Sequence, residues 1–396
     1  MTGTTRFDLR KEAIVKVAAE ILGRKGARGM TLQLVAAELD LAPRAVSYYF
    51  RRKEDLAAAC YRRSVERMDA HITEALREPT PGLMLSAFVR IFFETQRRVR
   101  VGELEPIAWF DDMRTIHDPG SGEAFTNVFR KIRSLFNAAG APPFERIERN
   151  ARAHMLLSQV LWAVLWLPRY NPEDYGRMAE RTVDILLNGM ASPKMKWAPP
   201  ALPSAAELES EPAFLRAATE LINDQGYLGA SVSKISARLN VTKGSFYHHN
   251  EGKDELVEQC FERTWTILRH AQTEADAAAA NGLMNLAAQG VATVGGQVSE
   301  KLPLLRTSAL AAVPEEMRPR LIAGFDRITS RYASVVSDGF RDGSIRPLDV
   351  PLAAQMLSGA INAAAELQYW APGLTPATAE TYYVKPLFLG MLSPTS

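Results

Sequence analysis

The feature that most constrains this chain is an internal repeat of a short helical motif. The segment from Thr31 to Leu56 (TLQLVAAELDLAPRAVSYYFRRKEDL) returns as Ser231 to Leu256 (SVSKISARLNVTKGSFYHHNEGKDEL), and the offset of 200 residues needs no gap. Each copy predicts two short helices joined by a tight turn and followed by the start of a longer helix, which is a helix-turn-helix pattern. In a chain of 396 residues, the repeat predicts two units of about 200 residues each.

Composition favours a soluble protein of the cytoplasm. Apolar residues make up 47% of the chain and charged residues 23%, which is ordinary for globular proteins. No segment approaches the roughly 20 apolar residues that span a bilayer, and the amino terminus lacks the apolar core of a secretory signal. Cys60 and Cys260 occupy equivalent repeat positions and are interpreted as core residues. We therefore expect a cytoplasmic location and no membrane partner.

Charge is distributed unevenly between the two copies. From Arg6 to Arg63 there are 13 basic and 7 acidic residues, whereas the matching window from Ala206 to Arg263 has 6 basic and 10 acidic residues. The first copy therefore carries a net charge of +6 and the second −4. A phosphate backbone attracts the first copy and, on bulk charge, not the second.

Helical periodicity runs through both units. Phe7–Lys25 has the three-and-four apolar spacing of an amphipathic helix. Thr31 is predicted to cap a helix over Leu32–Leu39, and Pro43 suits the first turn of the next helix. Residues 103–116 and 304–313 are also predicted to be short helices. Because no alternating strand pattern of convincing length occurs, the predicted fold class is all-α.

Both halves resemble TetR-type transcriptional regulators. In the second half the resemblance rests on Val241-Thr242-Lys243-Gly244-Ser245 and Tyr247-His248-His249, and on the segment from Asp342 to Gly373. In the first half it rests on Thr31, Val35-Ala36, Leu41-Ala42-Pro43, Tyr48-Tyr49-Phe50 and Lys53-Glu54-Asp55-Leu56. The resemblance implies subunits with a three-helix DNA-binding domain followed by a helical domain for ligand binding and dimerisation.

The resemblance divides the chain into two such units joined by a linker rich in Pro, Ser and Ala. The expected parts are residues 1–53 and 212–253 as the two helix-turn-helix domains, 54–190 and 254–396 as the two ligand-binding and dimerisation domains, and 191–211 as the linker. Family members ordinarily form homodimers through their last two helices. Here those helices occur twice, as Phe144–Met190 and Pro351–Leu392, so we expect an intramolecular pseudo-dimer. A homodimer that uses only the first helix-turn-helix is the alternative.

The motif predicts which side chains meet a double-stranded DNA operator. Arg44 can make a bidentate contact to guanine, and residues near helix starts can hold phosphates. The candidates are Thr31, Arg44, Ser47, Tyr48, Tyr49, Arg52 and Lys53 in the first copy, and Ser231, Thr242, Lys243, Ser245, Tyr247, His248 and Lys253 in the second. The alternative is that the tyrosines pack a small core and the basic residues are solvated.

Both copies depart from the family pattern. Ser47 stands where the family usually has a phosphate-contacting tyrosine, and Asn250 replaces the aromatic that usually follows the His pair. Glu251 and Gly252 then make the next turn of the second copy acidic and flexible. For the second copy, DNA binding and a purely structural role both stay open. Two dissimilar copies predict an asymmetric or imperfectly palindromic operator.

The helical domains are predicted to enclose clefts for a small apolar or aromatic effector. The candidate lining residues are Phe88, Phe92, Trp109, Met113, Met155, Gln159 and Trp162 in the first half, and Arg306, Phe325, Tyr332, Asn362, Glu366 and Trp370 in the second. A core role is the alternative for each aromatic residue.

The sequence favours regulation over catalysis. No nucleophile-elbow, Walker or zinc-protease motif occurs, and adjacent histidines on a helix point about 100° apart, so we expect no catalytic residues, no metal and no cofactor. The predicted function is a ligand-responsive repressor. The alternative is a ligand-sensing or protein-interaction scaffold that does not bind DNA.

Overall fold

The regular elements of this chain are helices. The computed structural model describes residues 6–107, 119–203, 213–238, 253–311 and 313–394. Within these ranges the β pairing is limited to a single bridge between Ala191 and Ile345. The predicted all-α fold class is confirmed.

The first half contains eight α-helices in the described residues. They are α1 (Arg6–Gly29), α2 (Leu32–Glu38), α3 (Pro43–Tyr49), α4 (Lys53–Ala75), α5 (Pro81–Arg100), α6 (Pro119–Leu135), α7 (Arg146–Trp166) and α8 (Tyr175–Asn188). We call α1 to α3 the first head. Its core, which includes Val35, Val46 and Phe50, is separate from the large core of the rest of the protein. The first head is therefore a unit with its own packing.

The second half repeats this order. Its helices are α9 (Ala213–Gly229), α10 (Val232–Arg238), α11 (Lys253–Ala278), α12 (Gly282–Val298), α13 (Arg318–Asp342), α14 (Val350–Ala363), α15 (Leu367–Trp370), α16 (Pro376–Ala379) and α17 (Lys385–Leu389). A 3₁₀ segment, Thr307–Ala311, precedes α13, and a π-helical turn, Glu380–Val384, joins α16 to α17. The repeat extends to fine detail, since Cys60 donates to the Val15 carbonyl and Cys260 to that of Leu215. Burial raises the pKa of both thiols to about 12.

Two expected short helices differ in the structure. Residues 103–107 are not helical, and 108–116 lie outside the described residues. Of residues 304–313, only Thr307–Ala311 form a helix, and it is 3₁₀. Side chains from distant helices occupy the preceding backbone groups: the Asn223 amide donates to the Leu304 carbonyl, and the Leu305 amide donates to the Thr264 hydroxyl. These contacts bind the backbone of residues 304 and 305 to α9 and α11.

The two halves pack through α7 and α8 of the first and α14 and α17 of the second. Three side chains of α7 bond to α14: Gln159 donates to the Met356 carbonyl at 2.9 Å, His154 Nε2 lies 2.9 Å from the Ala363 carbonyl, and the Trp162 indole donates to Gln355 Oε1 at 3.2 Å. The helices lie very close where Gly359 faces Trp162, because a Cβ at Gly359 would lie 2.7 Å from the indole ring. The junction is therefore both apolar and specifically hydrogen-bonded.

A repeated Gly-Met-x-Ser-Pro sequence marks a crossing of the two halves. It occurs as residues 189–193 and again as residues 390–394, an offset of 201. The Met190 amide donates to the Phe388 carbonyl at 2.8 Å, and the Met391 amide donates to the Leu186 carbonyl at 2.6 Å. Gly189 and Gly390 have φ of 69° and 103°, and a Cβ on either one would overlap a backbone carbonyl of the other half. Only glycine allows this approach.

Replacement of Gly189 by alanine will destabilise the fold. The positive φ alone costs an L-residue about 1–3 kcal/mol, and the overlap with the Phe388 carbonyl adds to that cost. We expect a clear fall in the thermal midpoint. Gly176→Ala in α8, the helix that ends just before Gly189, is the control, because a Cβ there meets nothing within 4 Å. A Gly189→Ala protein as stable as Gly176→Ala would show that the halves do not cross in this way.

Candidate nucleic-acid interface and effector cavities

Helix α3 presents a polar and aromatic face to solvent. Ala42 precedes it with extended backbone, and Pro43 supplies the fixed φ of its first turn. Val46 and Phe50 point into the head core. The opposite face exposes Arg44, Ser47 and Tyr48, and Tyr48 is 75% exposed. The DNA-facing set predicted on this helix is therefore on one accessible surface.

An aromatic cluster links α3 to the start of α1. The Phe7 ring lies 4.8 Å from the Tyr49 ring and 6.2 Å from the Tyr48 ring, and the two tyrosine rings are 5.3 Å apart. Sequence reasoning missed Phe7. The available signal was an aromatic at the beginning of α1, outside that helix's apolar stripe. Phe7 restricts the directions in which the two tyrosines can point.

The other first-head candidates lie at helix starts. The Thr31 hydroxyl accepts the Leu34 amide at 3.1 Å and so caps α2. Arg52 precedes α4 and pairs with Asp55 at 2.7 Å, both side chains being exposed. Lys53 is the first residue of α4, where the helix dipole favours anions. These positions suit phosphate groups that flank a recognition helix.

The second copy is described only in part. Ser231 accepts the Lys234 amide at 3.3 Å, in the same way that Thr31 caps α2. Lys253 begins α11, and its side chain is not described. The predicted DNA contacts Thr242, Lys243, Ser245, Tyr247 and His248 lie outside the described residues. These assignments stay predictions.

Several predicted effector residues lie in the main core. Phe88, Phe92, Met155, Gln159 and Tyr332 are all fully buried, and none of them lines either cavity described below. Trp109 and Met113 lie outside the described residues. Trp370 stacks on Phe129 of α6 with ring centroids 4.3 Å apart, so it joins the two halves. Their role in effector binding stays a prediction.

A small cavity of about 80 Å³ brings four of the candidates together. Trp162, Arg306, Asn362 and Glu366 all line it. Arg306 pairs with Glu366 at 2.6 Å, and the side-chain Oδ1 of Asn362 accepts the Thr307 backbone amide at 2.9 Å. These polar groups already bond to one another, and a cavity of this volume has room for only a few water molecules.

A larger cavity of about 360 Å³ lies between the first head and the second half. Of the predicted effector residues, Trp162 and Phe325 line it. The remaining lining residues are Gly23, Arg24, Leu165, Trp166, Arg169, Thr307, Ser308, Leu310, Arg318, Ile322, Asp326, Thr329 and Gln355. Its volume is in the range of small-molecule sites.

His71 of α4 is a buried titratable group beside the core of the first half. Its Nε2 lies 3.0 Å from the Thr95 hydroxyl, and its ring meets Phe92 edge-on. Burial, with a smaller effect from Arg67, lowers the pKa of His71 to about 4. The folded protein therefore holds this imidazole neutral at pH values where the unfolded chain would take up a proton.

Acidification will destabilise the protein through His71. Because its folded pKa lies below the unfolded value, the stabilising contribution is complete above about pH 6.5 and is lost as the pH falls toward 4. At pH 5 the loss is about 2 kcal/mol. Urea denaturation at pH 7 and pH 5 measures it. His71→Gln should lose less stability than wild type over this interval, whereas His270→Gln, at a half-buried site, should behave like wild type. Equal losses in all three proteins would rule out His71 as the cause.

No helix in the described part of the chain is long and apolar enough to cross a membrane. Across the same residues, no group of three or more His, Cys, Asp or Glu side chains could hold a metal ion.

Known proteins resemble both copies of the repeat. The family described as "Bacterial regulatory proteins, tetR family" matches residues 14–60 and 214–260. The chain is 26% identical over 132 residues to the HTH-type transcriptional repressor DhaR of Mycobacterium sp. (strain GP1), covering 32% of this chain and 66% of that protein. It is 36% identical over 50 residues to the Transposon Tn10 TetC protein of Escherichia coli, covering 13% and 25%. The solved TetR family transcriptional regulator PfmR from Thermus thermophilus is 20% identical, with a TM-score of 0.37, covering 45% and 98%.

The two family matches fall on the two copies of the repeat, 200 residues apart. The chain therefore carries two TetR-like units, each with a match to this family. This confirms the family and the duplication predicted from the sequence. The match to DhaR spans about two thirds of that protein's length, and the match to TetC spans a quarter.

Proposed function

We propose that the protein is a ligand-responsive, DNA-binding transcriptional regulator that acts as a repressor. The observation that carries this proposal is the face of α3, where Arg44, Ser47 and Tyr48 are exposed on a head with its own core. The two matches to the TetR family and similarity to a named repressor support it. A small apolar or aromatic effector releases the protein from its operator.

The geometry of the first head suits the major groove. An α-helix such as α3 is about 10–12 Å across with its side chains, and this diameter fits a major groove about 12 Å wide. Arg44 is the second residue of α3, and helix-turn-helix proteins contact base edges with the first residues of this helix. Excess positive charge around the first copy strengthens its attraction to phosphates.

One chain occupies one operator in this proposal. In a family homodimer, each of two chains would contribute one pair of helices to the interface. Here α7 and α8 pack against α14 and α17, so a single chain supplies both pairs. The two helix-turn-helix copies differ in charge and in sequence, so the two half-sites of the operator differ as well. The division into residues 1–53, 54–190, 191–211, 212–253 and 254–396 is part of this proposal, as is a cytoplasmic location.

Selection of bound genomic fragments, followed by footprinting and light scattering, tests the proposal. We expect salt-dependent binding of an asymmetric site by one chain. A perfect palindrome bound by two chains would instead mean that two first heads hold the DNA and that the second copy is structural. Absence of salt-dependent binding to any fragment would leave the ligand-sensing scaffold as the function.

A further inference from the structure

The cavity of about 360 Å³ lies where three parts of the protein meet. Gly23 and Arg24 come from the last turns of α1 in the first head, and Trp162, Leu165 and Trp166 come from α7. The remaining wall belongs to the second half, through the 3₁₀ segment and α13. A molecule bound here would therefore contact a DNA-binding head of one unit and the helical domain of the other.

The wall of this cavity is largely apolar and aromatic. Trp162, Trp166 and Phe325 supply flat rings. Leu165 and Ile322 also line it and are 38% and 43% exposed. Covering them would remove apolar surface from water, and this favours a ligand with a hydrophobic body.

Charge at the cavity is predominantly positive. Three guanidinium groups, those of Arg24, Arg169 and Arg318, face one carboxylate, that of Asp326. Arg169 pairs with Asp326 at 2.6 Å, and Arg24 pairs with Glu38 at 3.0 Å. Both pairs are exposed to solvent, where ion pairs contribute little stability. The arginines can therefore turn to a ligand anion at small cost, and guanidinium groups bind carboxylates in a bidentate manner.

We propose that this cavity is the effector site and that it binds an apolar or aromatic carboxylate. The regulatory part of this inference rests on the proposed function, whereas ligand binding itself does not. The hydrophobic body lies against Trp162, Trp166 and Phe325. The carboxylate lies among Arg24, Arg169 and Arg318.

Contacts at and beside the cavity reach α1 of the first head and α9, the first helix of the second copy. Arg318 donates to the Arg24 carbonyl at 3.3 Å, next to the end of α1. On the other side, the Arg306 amide donates to the Asn223 side chain of α9 at 3.0 Å. A carboxylate that draws Arg24 and Arg318 toward itself shifts α1 relative to α7 and so changes the spacing of the heads. Because linkage is reciprocal, operator DNA weakens ligand binding by the same factor.

Two fluorescent probes that differ in charge test the site without DNA. 8-Anilinonaphthalene-1-sulfonate is aromatic and anionic, and N-phenyl-1-naphthylamine has the same rings without the sulfonate. We expect wild type to bind one sulfonate probe per chain. Arg169→Met with Arg318→Met should weaken the sulfonate probe about tenfold or more and the neutral probe much less. Equal weakening of both probes, or none, would contradict an anion site.

Volume variants locate the probe. Leu165→Trp fills the cavity from its mouth and should abolish binding of both probes. Leu83→Trp is the matched control, because Leu83 is similarly exposed and lies outside this cavity. If Leu165→Trp binds the sulfonate probe as wild type does, or if wild type binds neither probe, the site assignment is wrong.

Operator binding then separates this inference from the proposed function. If Leu165→Trp abolishes probe binding but the wild-type protein binds no operator, the proposed function is refuted and the site assignment stands. If the wild-type protein binds its operator but Leu165→Trp leaves probe affinity unchanged, only the site assignment is refuted. If both hold, saturating sulfonate probe should lower operator affinity in wild type and not in Leu165→Trp.

Discussion

Replacement of Arg152 by methionine will lower the free energy of unfolding by about 3–5 kcal/mol, because it leaves a buried carboxylate without its partner. Arg152 is 1% exposed and pairs with Glu148 at 2.7 Å. Its guanidinium also donates to the Met391 carbonyl at 2.6 Å and to the Ser393 carbonyl at 3.0 Å. It lies 4.0 Å from the centre of the Phe144 ring. One side chain of the first half thus holds the last residues of the second.

Urea denaturation of three variants distinguishes the origins of this loss. Arg152→Met with Glu148→Gln removes the unpaired charge and should recover part of the stability. Arg177→Met, at an exposed pair with Asp174, should change the unfolding free energy by at most about 1 kcal/mol. If Arg152→Met is no more harmful than Arg177→Met, the clamp on the chain end does not contribute to stability.

Replacement of Arg44 by alanine will weaken binding of the selected operator by about 1–3 kcal/mol, or roughly 5- to 150-fold in Kd. Arg44 is exposed on α3 beside Ser47 and Tyr48, where a base edge can be reached. The loss of affinity should occur only with duplexes that carry the guanine that Arg44 contacts. Substitution of that base pair should therefore weaken wild type and leave Arg44→Ala unchanged. Fluorescence anisotropy with matched and substituted duplexes measures both effects.

Two further variants separate base contacts from charge. Lys53→Ala should weaken all sequences alike and reduce the salt slope by about one, as expected for a phosphate contact. Arg341→Ala removes an equally basic side chain at an exposed site far along the chain and should leave the operator affinity unchanged. A uniform loss for Arg44→Ala on every sequence would assign it to the phosphate backbone instead.

Local sequence patterns predicted many of the helices and one helix cap. The 3.6-residue periodicity of Phe7–Lys25 and Leu32–Leu39 predicted helices whose ends lie within a few residues of those of α1 and α2. Thr31 was predicted as a cap and does cap α2. These features depend on neighbours within a turn or two, so they can be recognised without tertiary information. Residues 304–313 were predicted less well, and here Asn223 and Thr264 of distant helices bind the backbone of residues 304 and 305, which are contacts that no local pattern shows.

The two kinds of site differ in how far sequence could predict them. The face with Arg44, Ser47 and Tyr48 follows from the phase of one short helix, and a pattern of buried and exposed positions gives that phase. The large cavity takes its walls from α1, α7 and α13, which lie up to about 300 residues apart. Trp162 and Phe325 were the predicted residues among its lining.

The sequence by itself determined an all-α chain of two TetR-like units, one basic and one acidic, because repeats, helical periods and charges are local properties. Tertiary structure decided how the units meet. The crossing at Gly189 and Gly390 and the clamp from Arg152 require contacts between segments about 200 residues or more apart. The same is true of the cavity between the first head and the second half. Side-chain directions across such junctions depend on how each helix is rotated against its neighbour, and only the packing of the whole molecule fixes that rotation.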